Sequence, residues 1–398
     1  MKIQVVAAIS IMLFLAGIGA GYFIGGNINH STTSTSSVTF TSTSTLTSTE
    51  TLIMVSTSTI ASVRTVNVAT TVTSTETLGT PVPLVSVFDG NITIGSTPDT
   101  IAVNPTAGII YVTGQSNALI VINATSHAVI ANVTLPQDAG GGIAVDNKTG
   151  VVFVLLQAGV AEVNGTTNSV IGKLPLDFES RSMAFDSSTN TIYGSDGGYY
   201  LVGASAQTGA VTMNVSTRYS PNEVLVNPQN NLIYSLACNP IGLACDTVVS
   251  IVNGTSARLV NETFLGSPYY ASAAIDETTG FVYVSGATQL AELNAMGTII
   301  YRNYPDTCGP FTAMRVDSTQ NEVIMAPQNY NYLLVYDARF GNLVNMYSLP
   351  GSPRDVAFNP ETNETYVIVS NSLLSLRSAA NGHIDSSLIG ADQFCPLP

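Results

Sequence analysis

Short apolar runs, separated by Asn, Asp, Gly and Pro, return at a fixed interval from about Pro81 onward. The first run of each unit and its turn read Ile101-Ala102-Val103-Asn104-Pro105, Ile143-Ala144-Val145-Asp146-Asn147 and Met183-Ala184-Phe185-Asp186-Ser187. They continue as Val224-Leu225-Val226-Asn227-Pro228, Ala273-Ala274-Ile275-Asp276-Glu277, Met314-Arg315-Val316-Asp317-Ser318 and Val356-Ala357-Phe358-Asn359-Pro360. The turn residue stands at 104, 146, 186, 227, 276, 317 and 359, so successive offsets are 42, 40, 41, 49, 41 and 42. A second run follows each turn, as in Ile109-Ile110-Tyr111-Val112 and Phe281-Val282-Tyr283-Val284, and third runs include Leu119-Ile120-Val121-Ile122. Brief runs rich in β-branched and aromatic residues, bounded by turn formers, predict strands.

Four short strands per unit of about 40 residues is the signature of a propeller blade. A lone four-stranded sheet has two apolar faces to cover, and stacking blades in a ring covers both while leaving short edges. The fold class predicted for residues 81–398 is therefore all-β, a seven-bladed β-propeller. Alanine at 102, 144, 184, 274 and 357 suits a crowded axis on the innermost strand. The Asn and Asp residues are read as closing tight turns through their own side chains, not as ligands. Strand-like pieces at Leu84–Phe88 and Asn91–Ile94 precede the first unit and are candidates to join the last blade, although the sequence does not fix how the ring closes.

Before the repeats lie two segments of other character. Residues 1–27 contain an apolar run from about Val5 to Ile24 with one polar residue, Ser10, and no ionised side chain. As a helix such a run rises about 30 Å, the thickness of the hydrocarbon core. A cleaved signal peptide has a shorter apolar region, so the length favours an uncleaved transmembrane helix or signal anchor, and Lys2 places the N-terminus in the cytoplasm. Gly17, Gly21 and Gly25 fall four apart, a small-residue spacing that can pair helices; glycine merely tolerated in an anchor is the plainer reading. Residues 28–80 form a Ser/Thr-rich stalk with Arg64, Glu50 and Glu76 as its charges. That composition buries too little apolar surface to offset backbone ordering. Extended, its 49 residues from Ser31 to Gly79 would reach roughly 150 Å; Val63, Val66, Val68 and Val72 leave a β-rich reading open in its second half.

The repeats resemble the YVTN-repeat β-propellers of archaeal and bacterial surface-layer proteins, related to the quinoprotein amine dehydrogenase-like propellers. Tyr111-Val112-Thr113-Gly114 and Tyr283-Val284-Ser285-Gly286 sit where that family's signature tetrapeptide sits. The resemblance implies a propeller on a cell surface, serving adhesion, envelope structure or, in some relatives, catalysis.

Composition narrows the partners. Twelve basic residues against twenty-six acidic ones, net charge −14, argue against nucleic acid, which needs a Lys/Arg patch to neutralise phosphates. Hydrophobic residues make up 45%, which excludes wholesale disorder. On the exported side, Asn-x-Ser/Thr occurs at Asn29, Asn91, Asn123, Asn132, Asn147, Asn164, Asn214, Asn253, Asn261 and Asn363. Those from Asn91 onward fall at turns, outer hairpins or the outermost strand, so surface glycosylation is expected there. The four cysteines favour disulfides in an exported chain. Cys238 and Cys245 bracket the insertion in the one 49-residue unit, and Cys308 and Cys395 fall in equivalent loops, which suggests the pairs 238–245 and 308–395.

Catalytic motifs are scarce. No nucleophile elbow, zinc-protease motif, Walker loop or dinucleotide fingerprint occurs, the cysteine spacing fits no zinc pattern, and His30, His127 and His383 are scattered. No metal and no cofactor is expected. Arg315 breaks the run of alanines on the innermost strands, and Asp99, Arg181, Glu223, Arg354 and Asp355 lie near the starts of those strands. Together these six would collect at one mouth of the axial channel, as a ligand site or as internally paired charges. The sequence thus suggests a membrane-anchored extracellular propeller acting as a binding, adhesion or envelope component, with cell-surface proteins or glycans as partners. The alternative is an extracytoplasmic propeller enzyme, lactonase-like or quinoprotein-like.

Overall fold

The computed structural model describes residues 88–377 apart from 95–96, 177, 179–181, 242–243, 267–271, 286–289, 304–310, 340 and 342, together with the backbone of four strands nearer the N-terminus. The chain divides into two units, Met1–Val82 and Pro83–Pro398.

The N-terminal unit holds two antiparallel strand pairs, Val6–Leu15 with Ile18–Asn27 and Thr49–Leu52 with Val66–Ala69. The first pair falls within and just beyond residues 5–24, the run expected to form a membrane helix. Glycines at 17, 19, 21, 25 and 26 each cost a helix about 1 kcal/mol relative to alanine. Among the described residues no helix is long and apolar enough to cross a membrane. The remainder of the expected anchor and stalk lies outside the described residues.

The second unit is a ring of seven four-stranded antiparallel sheets. Six blades run in sequence order from the axis outward. The first is Pro98–Asn104, Ile109–Gly114, Ala118–Asn123 and Val129–Thr134. Later blades open with inner strands at Ala139–Val145, Ala184–Asp186, Pro221–Asn227, Ala273–Ile275 and Phe311–Asp317. The seventh takes three strands from the C-terminal end, Pro353–Asn359, Glu364–Val369 and Ser372–Arg377, and its outermost strand, Phe88–Thr93, from the beginning of the domain. The ring is thus closed by main-chain pairing, Ser372 with Thr93 through Leu374 with Asn91, extended by Ile94 N–H donating to the Asn371 carbonyl at 2.9 Å.

The core is divided in seven, one apolar cluster for each blade-to-blade interface. The closing cluster joins Ile92, Ile94, Ile101, Ile110 and Ile122 to Ala357, Tyr366, Ile368 and Leu373. Five of the seven blades also repeat a small–large pair: Ala102 faces Tyr111, Ala144 faces Phe153, Ala184 faces Tyr193, Ala274 faces Tyr283 and Ala357 faces Tyr366. The alanine is small because the ring of its partner fills the space on that face. The tyrosine tips then reach forward. Tyr234 donates to the Ala295 carbonyl in the next blade at 3.0 Å, and the Tyr366 hydroxyl, which donates to Glu364 Oε2 at 2.5 Å, also lies 3.4 Å from the Ala124 carbonyl across the closure. Burial pushes the Tyr234 hydroxyl up to about 12, so it stays a donor. At Gly165 the approach is close enough to require glycine, since a Cβ would stand 2.4 Å from the Tyr111 hydroxyl.

All seven turn residues are buried, and each carboxyl or carboxamide oxygen accepts a backbone N–H two or three residues on: Ala107, Lys148, Ser188, Gln229, Thr278, Thr319 and Glu361. They are turn-formers, as expected. If the closing strand holds the ring, Ile94→Ala at a 1% exposed position should cost about 2–4 kcal/mol. The loss will appear as a lower urea midpoint for the whole domain; a second transition confined to one blade would contradict ring closure as the cooperative link.

Candidate functional site

The mouth of the channel is built by the first residues of the inner strands. In the first, fourth, sixth and seventh blades the strand starts with a register shift that inserts one extra residue: Asp99, Asn222, Thr312 and Arg354. Bulges of this kind re-aim side chains and collect at barrel rims and sites. Asp99 and Arg354 were anticipated from sequence; Asn222 and Thr312 were not, because a bulge leaves no hydrophobic signature.

One step inward, the next residues do a different job. Ser182, Glu223 and Asp355 each precede the axial position (Ala184, Leu225, Ala357) by two residues. Each accepts a main-chain N–H from the following blade: Val224 N–H to Ser182 Oγ at 3.0 Å, Ala273 N–H to Glu223 Oε2 at 3.1 Å and Ile101 N–H to Asp355 Oδ2 at 3.0 Å. A buried amide without a partner costs about 1–3 kcal/mol, so these side chains satisfy the inner edges that the ring geometry leaves open.

Arg315 connects the two acids. It stands opposite Ile324 where five other blades have Ala opposite an aromatic and blade four has Leu225 opposite Tyr234. Its Nη1 donates to the Met314 carbonyl at 2.6 Å, and its Nη2 lies 3.4 Å from Asp355 Oδ1, with the guanidinium side chain 36% exposed. Asp355 Oδ1 also accepts Val356 N–H at 2.8 Å, and Ser272 Oγ approaches Glu223 Oε1 at 3.5 Å. Burial raises the Glu223 carboxyl to about 7, against the pull of Arg315 and the Ala273 N–H and with a further push from Asp355. Burial likewise raises Asp355, offset by Arg315 and its two backbone donors. The structure therefore brings Glu223, Arg315 and Asp355 within electrostatic reach of one another, from blades four, six and seven. Arg354 Nη1 donates to the Pro98 carbonyl at 3.4 Å and so bridges to blade one. Arg181 lies outside the described residues.

Other expected residues are scattered over the surface. Asn132 and Asn214 occupy the same register step of the outermost strand, opposite Ile120 and Val202, and both are exposed. Asn91 holds that step in blade seven, opposite Leu374. Asn261 is exposed, but its Nδ2 donates to the Met296 carbonyl at 2.8 Å. Asn123, Asn164 and Asn253 use Oδ1 to cap the third hairpin turn, accepting from Ser126, Thr167 and Ser256 N–H. Asn147 is exposed in its turn, and Asn363 adopts φ 54° there. Cys238 is disulfide-bonded and sits opposite Thr247 in a hairpin whose strands, Leu232–Ile241 and Ala244–Asn253, are longer than those of the other blades. The side chain of Cys245, and Cys308 and Cys395, lie outside the described residues. Among the described residues no group of three or more His, Cys, Asp or Glu is placed to hold a metal ion.

The arrangement defines a closed, seven-bladed β-propeller with charged groups at the starts of its inner strands. No family model and no curated protein matches the chain. Among solved structures it is similar to a chain of Kuenenia stuttgartiensis hydrazine synthase, with a TM-score of 0.63 and 14% identity over 72% of this chain and 96% of that one. The likeness is one of fold.

Glu223 makes the ring sensitive to pH. Its carboxyl titrates near 4.5 when unfolded and near 7 when folded, so between those values the folded protein holds the extra proton. Stability must then fall as pH rises through that window; Glu322, raised to about 7 by burial and by Asp317 and Asp337, acts in the same sense. Urea midpoints should be higher near about pH 5 than near about pH 7.5. Glu223→Gln, which stays neutral and keeps an oxygen for the Ala273 N–H, should flatten part of that fall. An unchanged slope would contradict the assignment.

Proposed function

We propose that the chain is a membrane-anchored extracellular propeller that acts by binding, as an adhesion or envelope component of the YVTN-repeat kind. The observation that carries this reading is the order of segments: an uncharged apolar run, then a Ser/Thr stretch, then a closed ring rich in Asn-x-Ser/Thr and containing paired cysteine positions. In hydrocarbon the apolar run takes the helical form, because a lone strand pair leaves its outer backbone groups unbonded and is not tolerated there. The stalk serves as a spacer, and disulfides 238–245 and 308–395 pin the long hairpin and the C-terminal tail. Glycans sit on Asn91, Asn132, Asn147 and Asn214. At Asn261 attachment competes with the bond to Met296, and at Asn123, Asn164 and Asn253 with a tight turn.

The channel mouth is the first candidate for a ligand, through Asp99, Arg315 and Arg354. Its acids support this reading over catalysis, since Glu223 and Asp355 are already engaged with backbone donors. One feature favours the alternative, an extracytoplasmic propeller enzyme: burial pushes the Glu223 carboxyl up to about 7 within electrostatic reach of Arg315, a range suited to a general acid–base. The fold likeness to hydrazine synthase transfers no activity.

Protease treatment of intact cells tests the reading. The propeller should be degraded from outside while remaining with the membrane fraction, and glycopeptide mass spectrometry should find Asn132 and Asn214 occupied before Asn261. A propeller that is protected in intact cells, or that is recovered in the cytosol, would refute it.

A further inference from the structure

Most exposed apolar side chains of the ring belong to its architecture. Val129 and Ile130, Val170 and Ile171, Leu259 and Val260, and Ile300 fall at the start of the outermost strand, blade after blade, where that strand bulges. Between blades three and four lies a feature that does not follow the repeat.

The second hairpin of blade three ends in Tyr199 and Tyr200, which are 60% and 42% exposed. The Tyr199 carbonyl accepts the Thr217 N–H at 2.8 Å and the Thr217 hydroxyl at 3.1 Å, and Ser220 Oγ donates to the Gly197 carbonyl at 3.4 Å. The hairpin is thereby tied to the connection that enters blade four. Within that connection Arg218 holds φ 59°, a left-handed backbone that long side chains seldom adopt. Its Nε lies 3.8 Å from Glu262 Oε2 on the outermost strand of blade four; the arginine side chain is 65% exposed and the carboxylate 12%. Glu262 is oriented from behind by Ser250 Oγ at 3.4 Å. Beside this pair Tyr219 packs edge-on against Phe264, ring centroids 6.3 Å apart at 90°. Phe264 is itself 40% exposed.

Fold stability does not account for the group. A solvent-exposed ion pair contributes about 0–1 kcal/mol, and half-exposed rings forgo much of the burial that makes aromatics stabilising. What the ledge offers is flat apolar surface next to a planar donor and a fixed acceptor. A pyranose ring has the complementary form. One face carries axial C–H groups that stack on an aromatic, and its rim carries hydroxyls that accept from a guanidinium and donate to a carboxylate. We propose that the ledge formed by Tyr199, Arg218, Tyr219, Glu262 and Phe264 is a binding site for a saccharide ring. This rests on the binding reading above and names its ligand class; it is separate from the channel mouth.

The full chain, held in a detergent without a sugar headgroup, is titrated with maltotriose, cellotriose, mannotriose and chitotriose. Tyrosine emission is directly readable because the chain has no tryptophan, and saturation-transfer NMR reports which sugar protons contact the protein. Saturable binding by at least one trisaccharide is expected. Tyr199→Ala, Phe264→Ala and Arg218→Gln should each weaken it at least about tenfold, the equivalent of about 1.4 kcal/mol, without shifting the unfolding midpoint by more than a few degrees. Ile171→Ser on blade two should leave it unchanged. Binding that survives all three ledge variants, no binding by any of the four sugars, or preference for a proline-rich peptide instead would overturn the proposal. The protease result on intact cells is independent of these outcomes, so a failed sugar site and a failed surface location are distinguishable.

Discussion

A four-stranded sheet has two apolar faces, and neither can be covered by the sheet itself. That requirement governs the rest of the second unit. Each blade gives its two faces to two neighbours, which is why the core divides into seven clusters, each spanning one interface. A linear stack would leave two terminal faces wet. Closing the ring removes them, and closure is secured by lending the strand Phe88–Thr93 to the last blade. Because that strand and its partners lie at opposite ends of the domain, the domain cannot lose either end without reopening an interface.

Apolar packing alone does not set the angle between neighbouring blades; directional bonds do. At the outer end of two interfaces a tyrosine tip reaches the next hairpin, Tyr234 to Ala295 and Tyr366 to Ala124. At the inner end Ser182, Glu223 and Asp355 reach the next strand's N–H. The inner bonds use charged acceptors where a hydroxyl also serves, and the cost is visible in Glu223, whose carboxyl is pushed to about 7. Arg315 offsets part of that cost by bringing a positive charge to an axial position that is apolar in the other six blades. The charges at the mouth are thus first a solution to ring construction. Any ligand there must use what remains: the exposed part of Arg315 and the bulged Asp99 and Arg354.

Legibility in the sequence followed the same division. Patterns that recur were readable: the strand runs, their spacing of about 40 residues and the turn Asn and Asp in all seven units, and the small residue of the inner strand in five. The departure at Arg315 was readable against that background. The reason for the small residue was not, because only the strand register shows that Ala102 and Tyr111 stand opposite each other on one face. The roles of Glu223 and Asp355 were hidden for a similar reason: their partners, Ala273 and Ile101, are main-chain groups of another blade, and a backbone N–H carries no residue identity. Of the expected set, Glu223, Arg315 and Asp355 stand within electrostatic reach of one another, and what the two acids do there is bind main-chain N–H groups.

The aromatic ledge was missed for the opposite reason. Its members come from a hairpin, a connection and an outer strand, and none stands out singly: exposed tyrosines are ordinary, and Arg218 looks like any loop arginine. Assembly makes them distinctive, through the left-handed turn at Arg218 and the Tyr219–Phe264 contact. In a ring made of near-identical units, symmetry supplies stability equally at every interface, so it cannot single out one place for recognition. Specific recognition has to be written where the repeat is broken. Among the described residues such breaks include Arg315 at the axis, the long hairpin of blade four and the ledge between blades three and four, and the last two share blade four.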